Sequence, residues 1–448
     1  MEERIRYRIV LFSSFLIALT LWALVSTRTF LLSAIYSVNV TYLIWGVYHL
    51  VITRVGLKPP MNPEPLVGDY PKISIIIPAR NEPILARTID ICLEHVDYPK
   101  NKKEIVVVTD DSEGERIALW FQQRYSNVVK LLARKQLYPT KPSALNDAYQ
   151  LCTGDIVAVI DVEDIPDKDI FLKAASALNG NQYQAAQAIL RISNENESWI
   201  TKLFSMEYAS WFRIWLNGRA KLGLFTPLGG TGNYFKHGVI GEVGRWDATN
   251  LAEDAEIGIR LTLANHRVVV IDGRQWEEAP VSFKPWLKQR TRWFRGWLQS
   301  LWMYLLLLLK PSVYKRIGIV QAFTIVLMLI NPIIVLLTWV AYGFTVFWLL
   351  ETYRIIQTSY VSGLFPFWSF IPLSLNALYY YVWIKAASME NIGTWKTTIT
   401  HIPHMFFYLN IMMPIAALRA FYQEIFKPVF WEKTTHPGKG VKGFQTAR

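Results

Sequence analysis

Residues 156–164, Ile-Val-Ala-Val-Ile-Asp-Val-Glu-Asp, decide the fold class of this 448-residue chain. Five apolar residues, Ile156–Ile160, lead directly into an acidic segment. Similar short apolar runs occur at Ile73–Ile77, Ile105–Val108 and Val268–Ile271. Runs of this length are typical of strands buried on both faces of a mainly parallel sheet. Helical patterns lie between them, so residues 71–282 are predicted to form one α/β domain.

Polar residues follow three of these runs, where each strand should end. They are Pro78-Ala79-Arg80-Asn81-Glu82, Thr109-Asp110-Asp111 and Asp161-Val162-Glu163-Asp164. In open α/β sheets, ligands bind at the carboxyl ends of the strands. We therefore expect the three polar segments to converge at one edge of the sheet.

The composition argues against an ordinary soluble enzyme. Hydrophobic residues make up 52% of the chain and charged residues 18%, where about 25% charged is usual. The net charge of +12 indicates an anionic partner. Because the basic residues cluster beside apolar segments, anionic lipid explains the charge better than nucleic acid. Two cysteines exclude a disulfide framework and argue against a thiolate metal site.

Two apolar runs precede the α/β domain, Ile9–Val25 and Leu31–Ile52. Arginines flank them on the outer sides, which predicts a transmembrane hairpin over residues 1–54 with both ends in the cytoplasm. The competing interpretation, a signal peptide, lacks a small-residue cleavage site. Residues 55–70 are proline-rich and predict a stiff linker.

The region after the domain is basic and aromatic at first and then apolar. Residues 283–312 predict amphipathic interface helices, and residues 313–426 predict further transmembrane helices. The run Ile317–Leu350 would be roughly 51 Å long as one helix, against a hydrocarbon core of about 30 Å. It is either one tilted helix or two helices broken near Asn331-Pro332, so the number of crossings stays open. The basic segment 427–448 is expected to be a cytoplasmic tail.

Carboxylates are the first candidates for chemistry. Asp161 and Glu163 alternate at a strand end, so both could face one cation. Oxygen ligands of this kind suit Mg²⁺ or Mn²⁺, although a solvated acidic turn would have the same sequence. Glu253-Asp254 reads as a helix start, where acids can serve as a general base or only complement the helix dipole.

Two further motifs each allow two interpretations. The segment Gly229–Asn233 is either a loop that approaches a ligand closely or an ordinary turn. Gln289-Arg290-Thr291-Arg292-Trp293 is either an interfacial anchor for lipid headgroups or a diphosphate clamp. In the second interpretation Arg292 contacts phosphate oxygens and Trp293 stacks on a sugar.

Taken in order, these motifs are similar to those of membrane-integrated family 2 glycosyltransferases, the cellulose, chitin, hyaluronan and poly-N-acetylglucosamine synthases. The series also includes Lys141-Pro-Ser-Ala-Leu-Asn146 and Glu277-Glu278-Ala279-Pro280. The resemblance covers about residues 70–300. It implies a GT-A type domain inserted between transmembrane helices in the plasma membrane, with the catalytic domain in the cytoplasm. It also implies a UDP-sugar donor, Mg²⁺ or Mn²⁺, and a glycan or lipid-linked acceptor.

The resemblance assigns roles to individual residues. Asp254 would be the general base, with Glu253 beside it, and Asp161 and Glu163 would bind the metal. Residues expected to contact the donor are Ala79, Arg80, Glu82, Asp110, Asp111, Lys141, Asp161, Gln289, Arg292 and Trp293. Residues expected to contact the acceptor are Gly230, Thr231, Gly232, Asn233 and Trp293. Two positions depart from the family pattern: Ala252 replaces the usual Thr, and Glu163 replaces an Asp found in many members.

The activity implied is a single displacement that inverts the anomeric centre. The leading hypothesis is a processive synthase that extrudes its polysaccharide through its own helices. The alternative within the same class adds one sugar to a lipid-linked acceptor, and a more remote alternative is an inactive membrane subunit. Aromatic residues that could line an extrusion path are Trp339, Trp348, Trp368, Tyr379, Tyr380, Tyr381 and Trp383. The motifs do not specify the sugar, the linkage, the product length or the oligomeric state.

Overall fold

The computed structural model describes residues 13–14, 17–135, 140–357 and 367–427. An eight-stranded sheet lies at the centre of the α/β domain, in the order β3-β2-β1-β4-β7-β6-β8-β5. The strands are β1 Ile73–Ala79, β2 Lys103–Thr109, β3 Val129–Ala133, β4 Ile156–Val159, β5 Ile165–Pro166, β6 Ala185–Ile192, β7 Asn233–Lys236 and β8 Val268–Glu277.

The sheet is mixed and mainly parallel, which confirms the predicted fold class. Strands β3, β2, β1 and β4 form three consecutive parallel pairs, and β6 pairs with β8 in parallel. Strand β7 is antiparallel to both β4 and β6, and β5 is antiparallel to β8. The four apolar runs of the sequence correspond to β1, β2, β4 and β8.

The apolar runs are continuous because both faces of the sheet are covered. Ile75 and Ile77 of β1 belong to the core on one face, whereas Ile76 belongs to the core on the other. All three side chains are fully buried. A strand with one solvated face would instead alternate apolar and polar residues.

The α-helices, numbered along the chain, begin with α1 before the sheet and end with α17. They are α1 Thr27–Gly56, α2 Leu85–Asp90, α3 Ser112–Arg124, α4 Lys141–Tyr149, α5 Ile170–Leu178, α6 Trp199–Tyr208, α7 Asn217–Lys221, α8 His237–Glu242, α9 Glu253–Leu263, α10 Phe283–Leu308, α11 Pro311–Ile317, α12 Ile319–Leu329, α13 Asn331–Thr352, α14 Phe367–Met389, α15 Trp395–Ile399, α16 Ile402–Phe407 and α17 Met413–Phe426. Shorter helical segments are the π-helices Ile91–His95, Ala209–Leu216 and Tyr408–Met412 and the 3-10 turn Lys100–Lys102.

Three helical stretches in the described residues are long and apolar enough to cross a membrane: α1, α13 and the continuous stretch Ile402–Phe426. Helices α11 and α12 are together long and apolar enough to cross a membrane, but they meet at an angle of 106°, as in a broken span or a re-entrant loop. The run expected at 317–350 is divided, with α12 ending at Leu329 and α13 starting at Asn331. In the predicted run 9–25, the described residues 13–14 and 17–25 are helical. The predicted tail beyond Lys427 lies outside the described residues.

Buried charges join the sheet to the apolar helices. The carboxylate of Glu390, directly after α14, accepts hydrogen bonds from Arg191 of β6 at 2.6 Å and from Arg274 of β8 at 3.1 Å. The Nε atom of Arg213, in the π-helix between α6 and α7, lies 3.7 Å from the same carboxylate. Only 4% of Glu390 is exposed. The end of α14 is therefore fixed to three elements of the α/β domain.

Candidate active site

A cavity of ≈ 330 Å³ lies between the carboxyl edge of the sheet and the apolar helices. Ten of the predicted site residues line it: Lys141, Asp161, Glu163, Gly230, Thr231, Glu253, Asp254, Gln289, Arg292 and Trp293. The side toward the apolar helices includes Tyr42, Trp45, Ile334, Leu375, Tyr379 and Met413. The cavity therefore connects the predicted catalytic carboxylates with the space between α1, α13, α14 and α17.

Asp254 lies in the first turn of α9, at the wall of the cavity. The backbone N–H of Ala255 donates to its Oδ1 at 2.7 Å. Burial in the cavity is the largest cause that raises the pKa of Asp254, to about 7, and repulsion from Glu253 also raises it. The positive charges of Lys141 and Arg292 oppose the increase. A carboxylate with a pKa near 7 can accept a proton at neutral pH. The position thus has the properties that a general base requires.

Lys141 is the first residue of α4, whose N-cap Thr140 accepts a hydrogen bond from the backbone of Ser143. Its ammonium group lies 2.5 Å from Asp161 Oδ1 and donates to the carbonyl of Gly230 at 2.8 Å. Although burial opposes the charge, Asp161 and Glu253 raise the pKa of Lys141. The lysine is therefore a fixed positive charge between the end of β4 and the glycine-rich loop.

Asp161 and Glu163 are accompanied by two acids that the sequence analysis did not assign to the site. Burial raises the pKa of Asp164 well above its usual range, and Asp161 and Glu163 raise it further. Burial also raises the pKa of Glu277 to about 8, with a contribution from Glu163 and Asp161, although a hydrogen bond with Tyr208 opposes it. Glu277 lines the cavity. Both shifts favour the protonated, uncharged form of these two acids, which limits the negative charge that accumulates beside Asp161 and Glu163.

The donor set fits a divalent cation that is shared with a substrate. Among the described residues, no three His, Cys, Asp or Glu side chains are placed to hold a metal by themselves. Mg²⁺ usually takes only one or two carboxylates from a protein and completes its shell with water and substrate phosphates. Asp161 and Glu163 meet that requirement.

The loop at residues 229–233 is held by its own hydrogen bonds and by neighbouring strands. The Asn233 side chain donates to the Gly229 carbonyl at 2.6 Å, and the φ angle of Gly232 is +63°. Thr231 Oγ1 accepts a hydrogen bond from the backbone N–H of Asp161 at 3.1 Å. Gly230 and Thr231 line the cavity, whereas Gly232 and Asn233 shape the loop behind it.

Helix α10 carries the predicted clamp. Arg292 donates to the carbonyl of Leu251 at 3.3 Å, next to the start of α9. The carbonyl oxygen of the Gln289 side chain is buried without a hydrogen-bond partner and lines the cavity. The Arg290 guanidinium lies 4.6 Å from the centre of the Trp293 ring and pairs with Glu207 at 2.6 Å. Gln289, Arg292 and Trp293 are therefore presented to the same space as Asp254.

The remaining predicted donor residues lie at the sheet edge and not in the cavity wall. Ala79 at the end of β1 pairs in register with Thr109 at the end of β2. Asp111 caps α3 by accepting from Gly114 at 2.8 Å, and it also accepts from the backbone of Asn81 at 2.7 Å. Asp110 forms an ion pair with Arg134 at 2.9 Å. Arg80 is exposed and Glu82 half-buried beside this edge.

Comparison with known proteins identifies the family. The family model described as glycosyltransferase like family 2 matches residues 71–296, which is half of the chain. The chain belongs to glycosyltransferase family 2. It is an enzyme of that class, and its α/β domain has the GT-A type of fold.

Two relatives of this glycosyltransferase carry different names. It is 28% identical over 268 residues to the probable glycosyltransferase YdaM of Bacillus subtilis, covering 57% of this chain and 64% of the relative. It is 25% identical over 268 residues to the beta-monoglucosyldiacylglycerol synthase of Trichormus variabilis, covering 58% of this chain and 56% of the relative. The chain thus spans less than two thirds of the length of these relatives.

A solved structure matches more of the glycosyltransferase than the sequence relatives do. The mannosyltransferase PcManGT from Pyrobaculum calidifontis, in complex with GDP-Man and Mn²⁺, aligns with a TM-score of 0.58 at 17% identity. The alignment covers 88% of this chain and 99% of that protein. The likeness supports the fold, including helices outside the α/β domain.

Several groups in the glycosyltransferase site were not predicted. Glu207 receives the Arg290 ion pair and a hydrogen bond from Tyr408 at 2.7 Å, and Trp286 donates to Tyr408 at 2.7 Å. These partners are far apart in the chain, so no local motif could reveal them. Of the aromatic residues expected along an extrusion path, Tyr379 and Trp383 line the cavity. Trp368 falls where side chains are not described.

Proposed function

We propose that this enzyme transfers a sugar from a UDP-sugar to a hydroxyl group of a lipid-linked acceptor, with inversion at the anomeric carbon. The observation that carries the proposal is the cavity that links Asp254 with the apolar helices. An acceptor embedded in a bilayer could present its head to Asp254 while its tail stays among α1, α13 and α14.

The proposed chemistry gives Asp254 and the two cationic side chains Lys141 and Arg292 separate roles. Asp254 takes the proton of the acceptor hydroxyl, and the oxygen forms a bond to the anomeric carbon. The bond from that carbon to the diphosphate breaks, and the diphosphate leaves with the electron pair. Lys141 and Arg292 stabilise the leaving charge. An α-linked donor therefore gives a β-linkage.

Asp161 and Glu163 would hold a divalent cation, Mg²⁺ or Mn²⁺, in this proposal. The cation would supply positive charge to the diphosphate when bound. The sheet-edge residues Asp110 and Asp111, with Ala79, Arg80 and Glu82 beside them, would contact the nucleoside of the donor.

Aromatic side chains favour a second candidate, the processive polysaccharide synthase. Trp293, Tyr379 and Trp383 line the same cavity, and aromatic rings of this kind stack on sugars. A growing glycan could follow these rings toward the apolar helices and cross the membrane there. The two candidates share the donor, the base and the metal ligands, and they differ in the number of sugars added.

The proposed setting is the plasma membrane, with the α/β domain in the cytoplasm. Arg54 follows the apolar part of α1 at the end that joins the domain. Basic residues favour the cytoplasmic side of a membrane, and cytoplasmic nucleotide sugars would then reach the site directly.

The test is nucleotide release by full-length protein in lipid nanodiscs, with Mn²⁺ or Mg²⁺ and a panel of UDP- and GDP-sugars. Release with one UDP-sugar and a product one sugar larger than an added glycolipid would support the lipid-linked acceptor. A ladder of high-mass products would support the synthase instead. Release only with a GDP-sugar would refute the UDP assignment, and no release with any donor and acceptor would refute the proposed activity.

A further inference from the structure

A buried arginine that lines the cavity forms no ion pair with a carboxylate among the described residues. Arg219 in α7 is 1% exposed and lines the cavity. The other buried arginines in the described part of the chain each form an ion pair with a carboxylate; they are Arg134, Arg191, Arg213, Arg290 and Arg295. No such pair forms at Arg219 within the described ranges.

The hydrogen bonds that Arg219 makes within the described residues are long. Its guanidinium donates to the carbonyl of Phe225 at 3.3 Å and to the sulfur of Met328 at 3.5 Å. Its Nε–H is buried without an acceptor. A buried cation with unused donors is unfavourable unless an anion completes the site. The chain thus leaves several N–H groups beside the cavity for an anionic ligand.

The fold holds this arginine in place through a close helix crossing. Gly56 at the end of α1 and Gly218 in α7 pack so tightly that a methyl group at either position would overlap the opposite backbone. The crossing brings the guanidinium to 5.0 Å from the centre of the Tyr48 ring and to 5.9 Å from that of Trp211. The charge is therefore positioned before any ligand binds.

Aromatic rings bridge the distance from Arg219 to the catalytic end of the cavity. Trp211 stacks on Trp297 of α10 at 6.3 Å between ring centres, and Trp293 lies one helical turn away, about 6 Å along the axis. All three tryptophans line the cavity. A sugar resting on these rings would have Asp254 on one side and Arg219 on the other.

We propose that Arg219 binds the phosphate group of an acceptor in which a sugar is joined to a lipid through phosphate. The sugar hydroxyl then faces Asp254, the phosphate pairs with the guanidinium, and the lipid lies along the apolar wall that includes Ile334 and Leu375. Arg suits phosphate because its N–H groups match two phosphate oxygens at once. This inference rests on the proposed function, because it concerns the acceptor of the same site.

The binding step is tested without turnover. Full-length protein in phosphatidylcholine nanodiscs is titrated with phytanyl phosphate, phytanol or inorganic phosphate, and bound ligand is counted by native mass spectrometry. We expect phytanyl phosphate to bind at least tenfold more tightly than phytanol, and inorganic phosphate to bind weakly. Equal binding of phytanol would overturn the phosphate contact, and equal binding of inorganic phosphate would overturn the lipid assignment.

Substitutions locate the contact. Arg219→Gln should weaken phytanyl phosphate binding at least tenfold, Arg219→Lys should retain part of it, and the exposed Arg316→Gln should bind like wild type. Binding by Arg219→Gln equal to that of wild type would overturn the proposal, and the comparison of ligands on wild type decides it if that variant does not fold. Nucleotide release by wild type is measured separately, so a failed binding test and a failed transfer activity are distinguishable.

Discussion

Gly296 in α10 lies so close to Ala252, the residue before α9, that a Cβ atom at position 296 would stand 2.5 Å from the Ala252 backbone nitrogen. This contact sets the distance between the helix that carries Arg292 and the helix that carries Asp254. A glycine is therefore required at position 296 by the approach of the two helices.

The first prediction concerns this contact. Gly296→Ala should force α10 away from α9 and lower kcat/KM at least tenfold while the protein still folds, because Arg292 and Trp293 would move relative to Asp254. Nucleotide release measures the effect. Gly343→Ala in α13 is the matched control, since nothing lies within 4 Å of a Cβ atom there, and it should retain wild-type activity. Equal activity of the two variants would contradict the prediction.

The second prediction tests the proposed base. Asp254→Asn keeps the shape of the side chain but removes its ability to accept a proton, so kcat should fall about 10²–10⁴-fold. Donor binding, measured by titration calorimetry with UDP, should change little. Asp90→Asn, at an exposed position, controls for the substitution itself. Full sugar transfer by Asp254→Asn would remove this residue from the role of base.

The third prediction is a pH dependence. Since the pKa of Asp254 is raised to about 7, kcat/KM should increase with pH and level off above about 7. The same shift means that ionising Asp254 costs more in the folded than in the unfolded chain. Its contribution to stability therefore decreases as pH rises from the usual carboxyl range toward 7. A rate profile measured from pH 5.5 to 8.5 tests the assignment, and a flat profile would be inconsistent with it.

Arg290 gives the fourth prediction. Its guanidinium stacks on Trp293 and donates to both oxygens of Glu207, at 2.9 and 2.6 Å. Lysine cannot make this paired contact, so Arg290→Lys should loosen Trp293 and raise the acceptor KM several-fold while the donor KM stays the same. Arg124→Lys is the control, because Arg124 lies over Trp120 on the surface. A change in the donor KM with no change in the acceptor KM would contradict this prediction.

The fold could be predicted where strands are made of continuous apolar residues. Strands β1, β2 and β4 were recognisable for this reason. Strand β6 was not, because Gln187 and Arg191 interrupt it. Gln187 accepts a hydrogen bond from the Gly229 backbone at 2.8 Å, and Arg191 pairs with Glu390, 199 residues away. Local sequence cannot show that distant partners make these polar residues acceptable in a buried strand.

The site residues divide in the same way, into those that a local motif reveals and those that only distant contacts reveal. Lys141, Asp161, Asp254 and Arg292 belong to short motifs at strand ends and helix starts, and the cavity brings them together. Glu207 lines the cavity and forms an ion pair with Arg290, 83 residues further along the chain. Such a residue looks like any other helical glutamate in the sequence. Tertiary packing, and not spacing, makes it part of the site.

The fifth prediction concerns stability. Glu390→Gln removes the carboxylate charge shared by Arg191, Arg213 and Arg274, and the buried Arg213 loses the ion pair that it makes with this residue, which should cost about 3–5 kcal/mol. Thermal unfolding in detergent should show a clear drop in Tm. Glu242→Gln, on the surface of α8, should change stability by no more than about 0.5 kcal/mol. A Tm for Glu390→Gln equal to that of the control would argue against the shared contact.

The contacts of Glu390 have a consequence for how the reaction cycle can proceed. Three arginines from three separate elements meet one carboxylate at the end of α14, so a sliding or rocking motion of the sheet against that helix would pull apart several buried charges at once. We therefore expect the catalytic edge and the end of α14 to keep a constant separation. Between one turnover and the next, the substrate would then move along the cavity while this part of its wall stays in place.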